Sequence, residues 1–504
     1  MTIKNLKYTF IAVLSGFLLA FTACKKDYLE TNPTDDVSGE TVFETTEGAY
    51  VALDGTYRAM YLSLTNHGNF GQKSADLTAD LMGEDMVVHK DGYGWFNSEY
   101  KYTARSSPSP DSRSDRIWFQ YYRLINNANR IIDQIDEAQG SDEDKKNIRG
   151  QALAIRANSY YYLVNFFQHS YKGNESAPGV PLYTEPTSEG HDRGTVQAVY
   201  DLIISDLEEA ETLLDGAVRR HKSHINKQTV QGIRARVALI MEDWATAEKY
   251  ANLARQGLSL MNNATYTQDG FNTISNGEWI WGLEVNVEQA TIFASFYSHM
   301  DAASGGYATL GTQKKITKAL YDQIGENDIR RQNFLSPDQE GLSQDLPPYN
   351  QVKFVLRTPG NWDSDYLLMR AAEMYLIEAE AIARQGKSGA NDLLDNLVKI
   401  RDTEYSAQGL SGDSLLDEIL LQRRIELWGE GVSLFDIKRL GKGLNRATGD
   451  GNHSGSDLVP GDPAMNLDAG TLTLEPGSSK FLFRIPQDEI NANKALSSAD
   501  QNPA

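Results

Sequence analysis

Residues 230–258 read VQGIRARVALIMEDWATAEKYANLARQGL, and this stretch decides the fold class. Apolar side chains recur at three- and four-residue steps on both sides of a short polar break at Glu242-Asp243, which is the spacing of a helix face. Small and large apolar residues alternate across the break: Ala235, Leu239, Trp244, Ala247, Tyr250, Ala251 and Ala254. We therefore predict two helices that pack against each other, joined by a tight turn.

This predicted pair resembles a degenerate tetratricopeptide repeat, in which stacked helix pairs bury a continuous core. Residues 367–383 and 393–400 predict a second pair, joined by Gln385-Gly386-Lys387. Further helices with the same period are predicted at 43–60 (after a capping box at 41–44), 117–135, 148–166, 199–214 (capped by Thr195) and 415–428. The pairs are unevenly spaced, so a curved scaffold is expected rather than a regular solenoid.

Strand signals are few, and long irregular stretches separate the helices. The clearest strand is 278–285, where Trp279, Trp281, Leu283 and Val285 alternate on one face. Loops of unusual length are usually functional or disordered; here they are 66–114, 171–194, 262–311, 336–365 and 441–480. The predicted fold is mainly α, with tetratricopeptide-type helix pairs forming a curved scaffold plus a loop-rich half with few short strands.

The N-terminus has the layout of a secretory signal. Lys4 and Lys7 precede an apolar stretch at 8–21, which at ~14 residues is shorter than the ~20 that a bilayer span needs. It ends in Phe21-Thr22-Ala23-Cys24, which resembles a bacterial lipobox although Phe replaces the usual Leu. We predict removal of residues 1–23 and lipidation of Cys24; the alternative is an ordinary signal peptide with a stray Cys.

Composition excludes several classes of protein. The chain has 504 residues, 40% of them hydrophobic, and a formal net charge of −21. Apolar content of this order excludes wholesale disorder, and the acidic balance argues against nucleic-acid binding, which needs a basic surface. A single Cys excludes an intrachain disulfide and a Cys-based zinc site.

Motifs for catalysis, metals and cofactors are nearly absent. His221 and His224 have a spacing that could chelate on a helix, but a solvated segment is favoured. Gly386-Lys387-Ser388 resembles the end of a phosphate-binding loop, yet Ala381 stands where Gly is needed, so it is interpreted as a helix stop and restart. Residues 449–457 form either a plain surface loop, which is favoured, or a calcium loop. We predict no catalytic residue, no metal and no cofactor.

Aromatic residues in predicted loops are the main candidates for a site. Sugar rings have apolar C–H faces and polar rims, so a sugar site combines aromatic rings with hydrogen-bonding groups. Five aromatic residues cluster within 93–102, among Asp91, Asn97 and Glu99. The predicted ligand-binding residues are Trp95, Tyr93, Phe96, Tyr307 and Trp281. The alternative is that these rings seal the core beneath a loop, and for Trp281 that it belongs to a half-buried strand.

Several segments in order carry a resemblance to a known family. After Cys24 and Asp27-Tyr28-Leu29 come ALDGTY (52–57), WFQYYRLINNAN (118–129), ALAIRA (152–157), LLMRAAEMYLIEAEA (367–381), RRIELWGEG (423–431), LFDIKR (434–439), IPQDEINAN (485–493) and QNP (501–503). This pattern resembles the RagB/SusD family of outer-membrane nutrient-binding lipoproteins. It covers essentially the whole mature chain, with an N-terminal region at 24–230 and a C-terminal region at 231–504.

The resemblance implies a non-catalytic lipoprotein, anchored in the outer membrane and facing the cell exterior. It implies that the protein captures an oligosaccharide on loop aromatics and delivers it to a TonB-dependent, SusC-like outer-membrane transporter, which the helical half faces. A capture protein for another nutrient, such as peptides, and a lipid-anchored glycoside hydrolase are the alternatives. Arg423, Glu426 and Glu430, three and seven apart, are predicted to pair along one helix face, as are Asp436 and Arg439.

Overall fold

The structure is a computed structural model that describes residues 41–62, 66–103, 112–337, 346–453 and 469–503. The predicted signal peptide and Cys24 lie outside the described residues, as does Asp457 of the predicted polar loop. Within the described ranges, none of the helices combines the length and the apolar character that crossing a bilayer requires.

Helices dominate the described chain. They are α1 (Thr46–Ala59), α2 (Gln72–Leu81), α3 (Asn97–Tyr100), α4 (Arg113–Gln134), α5 (Asp142–Phe167), α6 (Val196–Leu213), α7 (Lys227–Met241), α8 (Trp244–Arg255), α9 (Asn263–Thr267), α10 (Phe296–Met300), α11 (Lys318–Tyr321), α12 (Ala371–Arg384), α13 (Ala390–Arg401), α14 (Gly412–Glu426), α15 (Ser433–Arg439), α16 (Ala469–Leu472) and α17 (Gln487–Ala492).

Within the described residues the strands are short and form four two-stranded antiparallel sheets. They are β1 (Met86–Val88), β2 (Pro178–Pro181), β3 (Arg193–Thr195), β4 (Trp279–Leu283), β5 (Lys314–Ile316), β6 (Tyr366–Arg370), β7 (Leu444–Asn445) and β8 (Thr473–Leu474), paired β1–β5, β2–β3, β4–β6 and β7–β8. The prediction of a mainly α fold with few short strands is confirmed.

Successive helices pack side by side from α4 to α8, and the chain then returns to the same stack. Helix α4 packs on α5, α5 on α6, α6 on α7 and α7 on α8; after the irregular segment, α12 packs on α8, α13 and α14. The predicted turn at Glu242-Asp243 is confirmed: Glu242 caps α7 in the left-handed region (φ 59°), and the Asp243 side chain accepts from Thr246 N to cap α8. Gly386, at φ 66°, follows the end of α12, which confirms the helix stop.

Three details of the sequence prediction are wrong. Helix α1 begins at Thr46 with Thr45 as its N-cap, because Thr41–Phe43 forms a separate 3-10 turn. Strand β4 is buried at all five positions, so its two faces do not alternate. Helix α2 lies inside the predicted loop 66–114, and all ten of its residues are buried. The division of the chain at 230/231, which falls inside α7, stays a prediction.

A buried charge network joins the helical stack to the irregular half. Arg370, at the end of β6, lies 3.0 Å from Glu278, 2.8 Å from Glu426 and 2.7 Å from Glu430. We use the name charge network for four cations and four carboxylates: Arg330, Lys353, Arg370, Arg401, Glu278, Asp328, Glu426 and Glu430. Opposite charges are equal in number, as burial of so many ions requires.

The predicted pairing along the α14 face is therefore wrong in its partners. Glu426 and Glu430 form ion pairs with Arg370, while Arg423 forms one with Asp436 at 2.7 Å. The predicted Asp436–Arg439 pair is present at 2.7 Å. The packing role expected for these residues fits their burial.

Candidate functional site

Two loops that face each other are tied together by Arg113, the first residue of α4. Its Nε donates to Glu99 at 2.7 Å and its Nη1 donates to the Gly68 carbonyl at 2.6 Å. Burial alone would raise the pKa of Glu99, but the guanidinium of Arg113 outweighs it and holds that pKa below its ordinary value. The loop at 66–70 and the segment at 91–100, which ends in α3, are thus fixed relative to each other by the buried Arg113.

Aromatic rings from four separate parts of the chain converge above this joint. Tyr307 is central: its ring centroid lies 5.2 Å from Phe293, 5.5 Å from Tyr93 and 5.7 Å from Trp95. The Tyr307 hydroxyl also lies 2.6 Å from His67 Nδ1. We call His67, Tyr93, Trp95, Phe293 and Tyr307 the aromatic platform.

The platform is open to solvent on its outer side. Tyr93 is 67% exposed and Phe293 38%, His67 is exposed, and Trp95 is half-buried. Tyr307 is only 7% exposed and forms the floor. Ile292, adjacent to Phe293 in sequence, and Leu310, three residues after Tyr307, are also exposed. A cluster of this size on the surface of a folded chain is typical of an interaction site.

A second layer of rings supports the floor from below. His299 stacks on Tyr307 at 5.1 Å and contacts Phe96 at 5.0 Å and Phe70 at 5.3 Å. Burial, together with the nearby Lys314 charge, lowers the pKa of His299 well below its ordinary value, so its ring is neutral. The neutral His299 ring therefore supports Tyr307 from below without placing a charge beneath it.

The structure brings together three of the five predicted site residues. Tyr93, Trp95 and Tyr307 belong to the platform. Phe96 is a correction: it is 2% exposed, its backbone is left-handed (φ 64°), and its ring lies under the Arg113 guanidinium at 4.2 Å. Trp281 is also a correction, because it is 1% exposed and its indole N–H donates to the Ser223 carbonyl at 2.9 Å.

Two platform residues were missed by reasoning from the sequence. Phe293 follows an apolar neighbour within the predicted loop 262–311, and an exposed Ile-Phe pair in such a loop was an available signal. The sequence gives no indication that His67 belongs to a site, since a single His in a loop is not part of a recognisable motif. Tyr100 and Tyr102, the other members of the aromatic run, are buried in the core.

A separate cleft of about 590 Å³ is lined by Gln289, which precedes Phe293 of the platform by four residues. One wall is the solvent face of α1 with Asp54, and the other is formed by residues 283–289. His221 lies 2.9 Å from Glu284, and His224 lies 2.7 Å from Asp54 and stacks on Tyr57 at 4.9 Å. The expectation that this His pair is solvated is wrong for His224, which is buried.

The described residues offer no group of three or more His, Cys, Asp or Glu side chains that could hold a metal ion. In the described part of the predicted polar loop, the Asn452 side chain accepts from the Ala319 backbone N–H at 3.0 Å. Chemically, the platform can stack on an apolar face, and the cleft can exchange hydrogen bonds. Both are binding capacities.

Comparison with known families agrees with this architecture. A family model described as "Starch-binding associating with outer membrane" matches residues 27–239, and a second, described as "SusD family", matches residues 349–504. The two models together span most of the chain. The chain belongs to the RagB/SusD family.

Members of the RagB/SusD family that resemble this chain are similar over nearly their whole length. SusD-like protein P2 of Formosa agariphila is 25% identical and covers 98% of each chain; SusD-like protein P38 of the same organism is 23% identical and covers 88% of this chain and 92% of its own. The crystal structure of a SusD-like carbohydrate-binding protein from Bacteroides vulgatus superposes with a TM-score of 0.79 at 29% identity, covering 91% of this chain and 98% of the other.

Proposed function

We propose that this RagB/SusD protein is a cell-surface lipoprotein that binds an oligosaccharide on the aromatic platform and delivers it to a TonB-dependent outer-membrane transporter. The observation that supports the proposal most is the cluster of solvent-open rings around Tyr307, built from loops 240 residues apart in sequence. The carbohydrate-binding relative from Bacteroides vulgatus adds support from a chain of the same fold.

The platform suits the amphipathic surface of a sugar. Tyr93, Trp95 and Phe293 offer ring faces for C–H groups, and polar side chains flank the same loop. Asp91 accepts from Asn97 Nδ2 at 2.7 Å and pairs with Lys101 at 3.2 Å, and it is half exposed. Hydroxyl groups both donate and accept, so such a rim can bind them without a net charge on the ligand.

The remaining parts of the proposal concern place and partner. Lipidation of Cys24 would anchor the protein in the outer membrane, with the folded body on the exterior. The regions 24–230 and 231–504 would act together as one capture device with the SusC-like transporter as its partner. The protein would bind its cargo and leave its bonds intact.

Electrophoresis in gels cast with soluble polysaccharides tests the binding step. Wild-type protein should be retarded by at least one polysaccharide of a panel that includes soluble starch and laminarin. Trp95→Ala removes one ring face and should lower the affinity about tenfold, equivalent to about 1.4 kcal/mol. Trp244→Ala is the matched control, since this Trp is also half-buried but lies on α8 under Arg384.

Three outcomes would count against the proposal. Retardation of the Trp95→Ala variant equal to that of the wild type would remove the platform from the binding site. Equal loss in the Trp244→Ala variant would show that the effect is a general loss of folding. Release of reducing sugars by the purified protein would contradict a purely binding role.

A further inference from the structure

The cleft beside α1 has the size of a ligand site and an unusual wall. Its volume of about 590 Å³ lies within the ~300–1,000 Å³ typical of small-molecule sites. Gly55, in the interior of α1, lines this wall between Val51 and Arg58, and a Cβ built on it meets no atom of the described residues within 4 Å. A glycine in a helix interior costs about 0.5–1 kcal/mol relative to Ala.

The contacts of α1 therefore do not explain this glycine, whereas an approach of a ligand to the helix backbone would. We propose that the cleft is a second carbohydrate subsite, which takes an uncharged, hydroxyl-rich sugar unit of the same chain that stacks on the platform. This inference rests on the proposed function and extends it to a longer ligand.

Positively and negatively charged side chains both line the cleft, and together they determine which class of ligand it can bind. The carboxylates of Asp54 and Glu284 are 60% and 55% exposed, and Arg58 is exposed without an ion-pair partner among the described residues. An anionic sugar would meet the two carboxylates, and a cationic ligand would meet Arg58. A hydroxyl group can donate to the first and accept from the second, so a neutral sugar fits both.

Two of the three tyrosine rings that line the cleft are already covered. The guanidinium of Arg220 lies over Tyr50 at 3.4 Å, and His224 stacks on Tyr57. Hydrogen bonds therefore carry most of the recognition in the cleft, in contrast to the exposed rings of the platform. The two places have different chemistry and complement each other along one amphipathic ligand.

The cleft and the platform are neighbours because the same chain segment borders both. Gln289 lines the cleft, where it accepts from the Tyr61 hydroxyl, and Phe293 of the platform follows four residues later. Four residues span at most about 14 Å even when fully extended. A short oligosaccharide is long enough to bridge such a gap.

A length series of oligosaccharides tests the proposal by isothermal titration calorimetry. The probe is a size-fractionated set, from disaccharide to octasaccharide, cut from the polysaccharide that retards the wild-type protein. Affinity should rise about tenfold at the length that reaches the cleft, the effect of one added subsite. Gly55→Leu fills the open space and should abolish this rise while leaving the affinity for short fragments unchanged.

Gly55→Ala adds only a methyl group, and Ala and Leu are both good helix formers, so the two variants differ in the space they fill. Gly55→Ala should reduce the rise by less than Gly55→Leu does. Arg58→Ser, at an exposed position, should reduce the rise and provides a second test if Gly55→Leu does not fold. A full rise in both variants, or no rise in the wild type, would overturn the subsite and leave the platform intact. Failure of the wild type to bind any polysaccharide would overturn the proposed function as well.

Discussion

Removal of Glu426 is the sharpest test of what holds the two halves of the fold together. The Glu426 carboxylate is fully buried, 2.8 Å from Arg370, 3.2 Å from Arg330 and 3.4 Å from Arg401. Burial alone would raise its pKa, but these three guanidinium groups hold the pKa of Glu426 well below its ordinary value. In Glu426→Ala the charge network keeps four cations but only three carboxylates.

The uncompensated positive charge determines how much the free energy of unfolding decreases in this variant. Loss of one partner of a buried ion pair typically destabilises by about 3–5 kcal/mol. An unfolding entropy of about 2.1 cal/mol/K per residue gives on the order of 1 kcal/mol/K for a chain of this size. The Tm should therefore fall by about 3–5 °C if the chain unfolds in one step.

Urea denaturation and calorimetry measure this loss, and the polysaccharide gel measures binding at a temperature where both proteins are folded. Asp417→Ala is the control, since Asp417 is an exposed acidic residue on the same helix, α14. Binding should be unchanged in both variants. A loss of stability below about 1 kcal/mol, or weaker binding without a loss of stability, would refute a structural role for Glu426.

Two further predictions rest on the structure, and a third rests on the sequence around Cys24. Burial alone would raise the pKa of Glu430, but Arg370 and Lys353 lower this pKa to about 2. Because the pKa is depressed in the folded state, the Glu430 carboxylate stabilises the fold above about pH 4.5, and this stabilisation is lost as the pH falls toward 2. The urea midpoint should therefore decrease over that pH range. Glu242→Gly should raise the free energy of unfolding by about 0.5–1 kcal/mol, since φ at this turn is 59°; a decrease would indicate a contact through the side chain. Cys24→Ser should move the protein from the membrane fraction to the soluble fraction and abolish labelling by a fatty-acid analogue; retention in the membrane would contradict lipidation.

The helical scaffold could be predicted because the spacing of apolar residues shows which face of each helix is buried. The turn at Glu242-Asp243 was visible as a polar break between two such patterns. Helix α2 could not be predicted from the spacing of apolar residues, because the side chains that it buries include many polar ones. Lys73 pairs with Asp76 at 3.2 Å, and Asp80 accepts from the backbone of Gly431. The partner of Asp80 lies 351 residues away in sequence, and the periodicity of apolar residues cannot show such a pairing.

The site was predictable in composition and unpredictable in orientation. Trp95 and Phe96 are adjacent aromatic residues in one loop, yet one lines the platform and the other lies beneath it. The left-handed backbone of Phe96 turns its side chain toward His299 and Phe70. The prediction that Trp281 is exposed to a ligand failed for another reason. Strand β4 pairs with β6 inside the core, so both faces of β4 are covered.

The platform combines a fixed floor with a rim that can adjust. Tyr307 is held from below by the neutral His299 and from the side by His67, so a ligand need not order it. Tyr93 stands between Gly92 and Gly94, both at positive φ, and its ring is largely exposed. Ordering a side chain on binding costs about 0.5–1.5 kcal/mol, and here that cost falls on the rim alone. If the platform binds a sugar as proposed, a floor fixed in advance would favour one stacking plane, while an exposed rim would let the same plane accept sugars that differ at their edges.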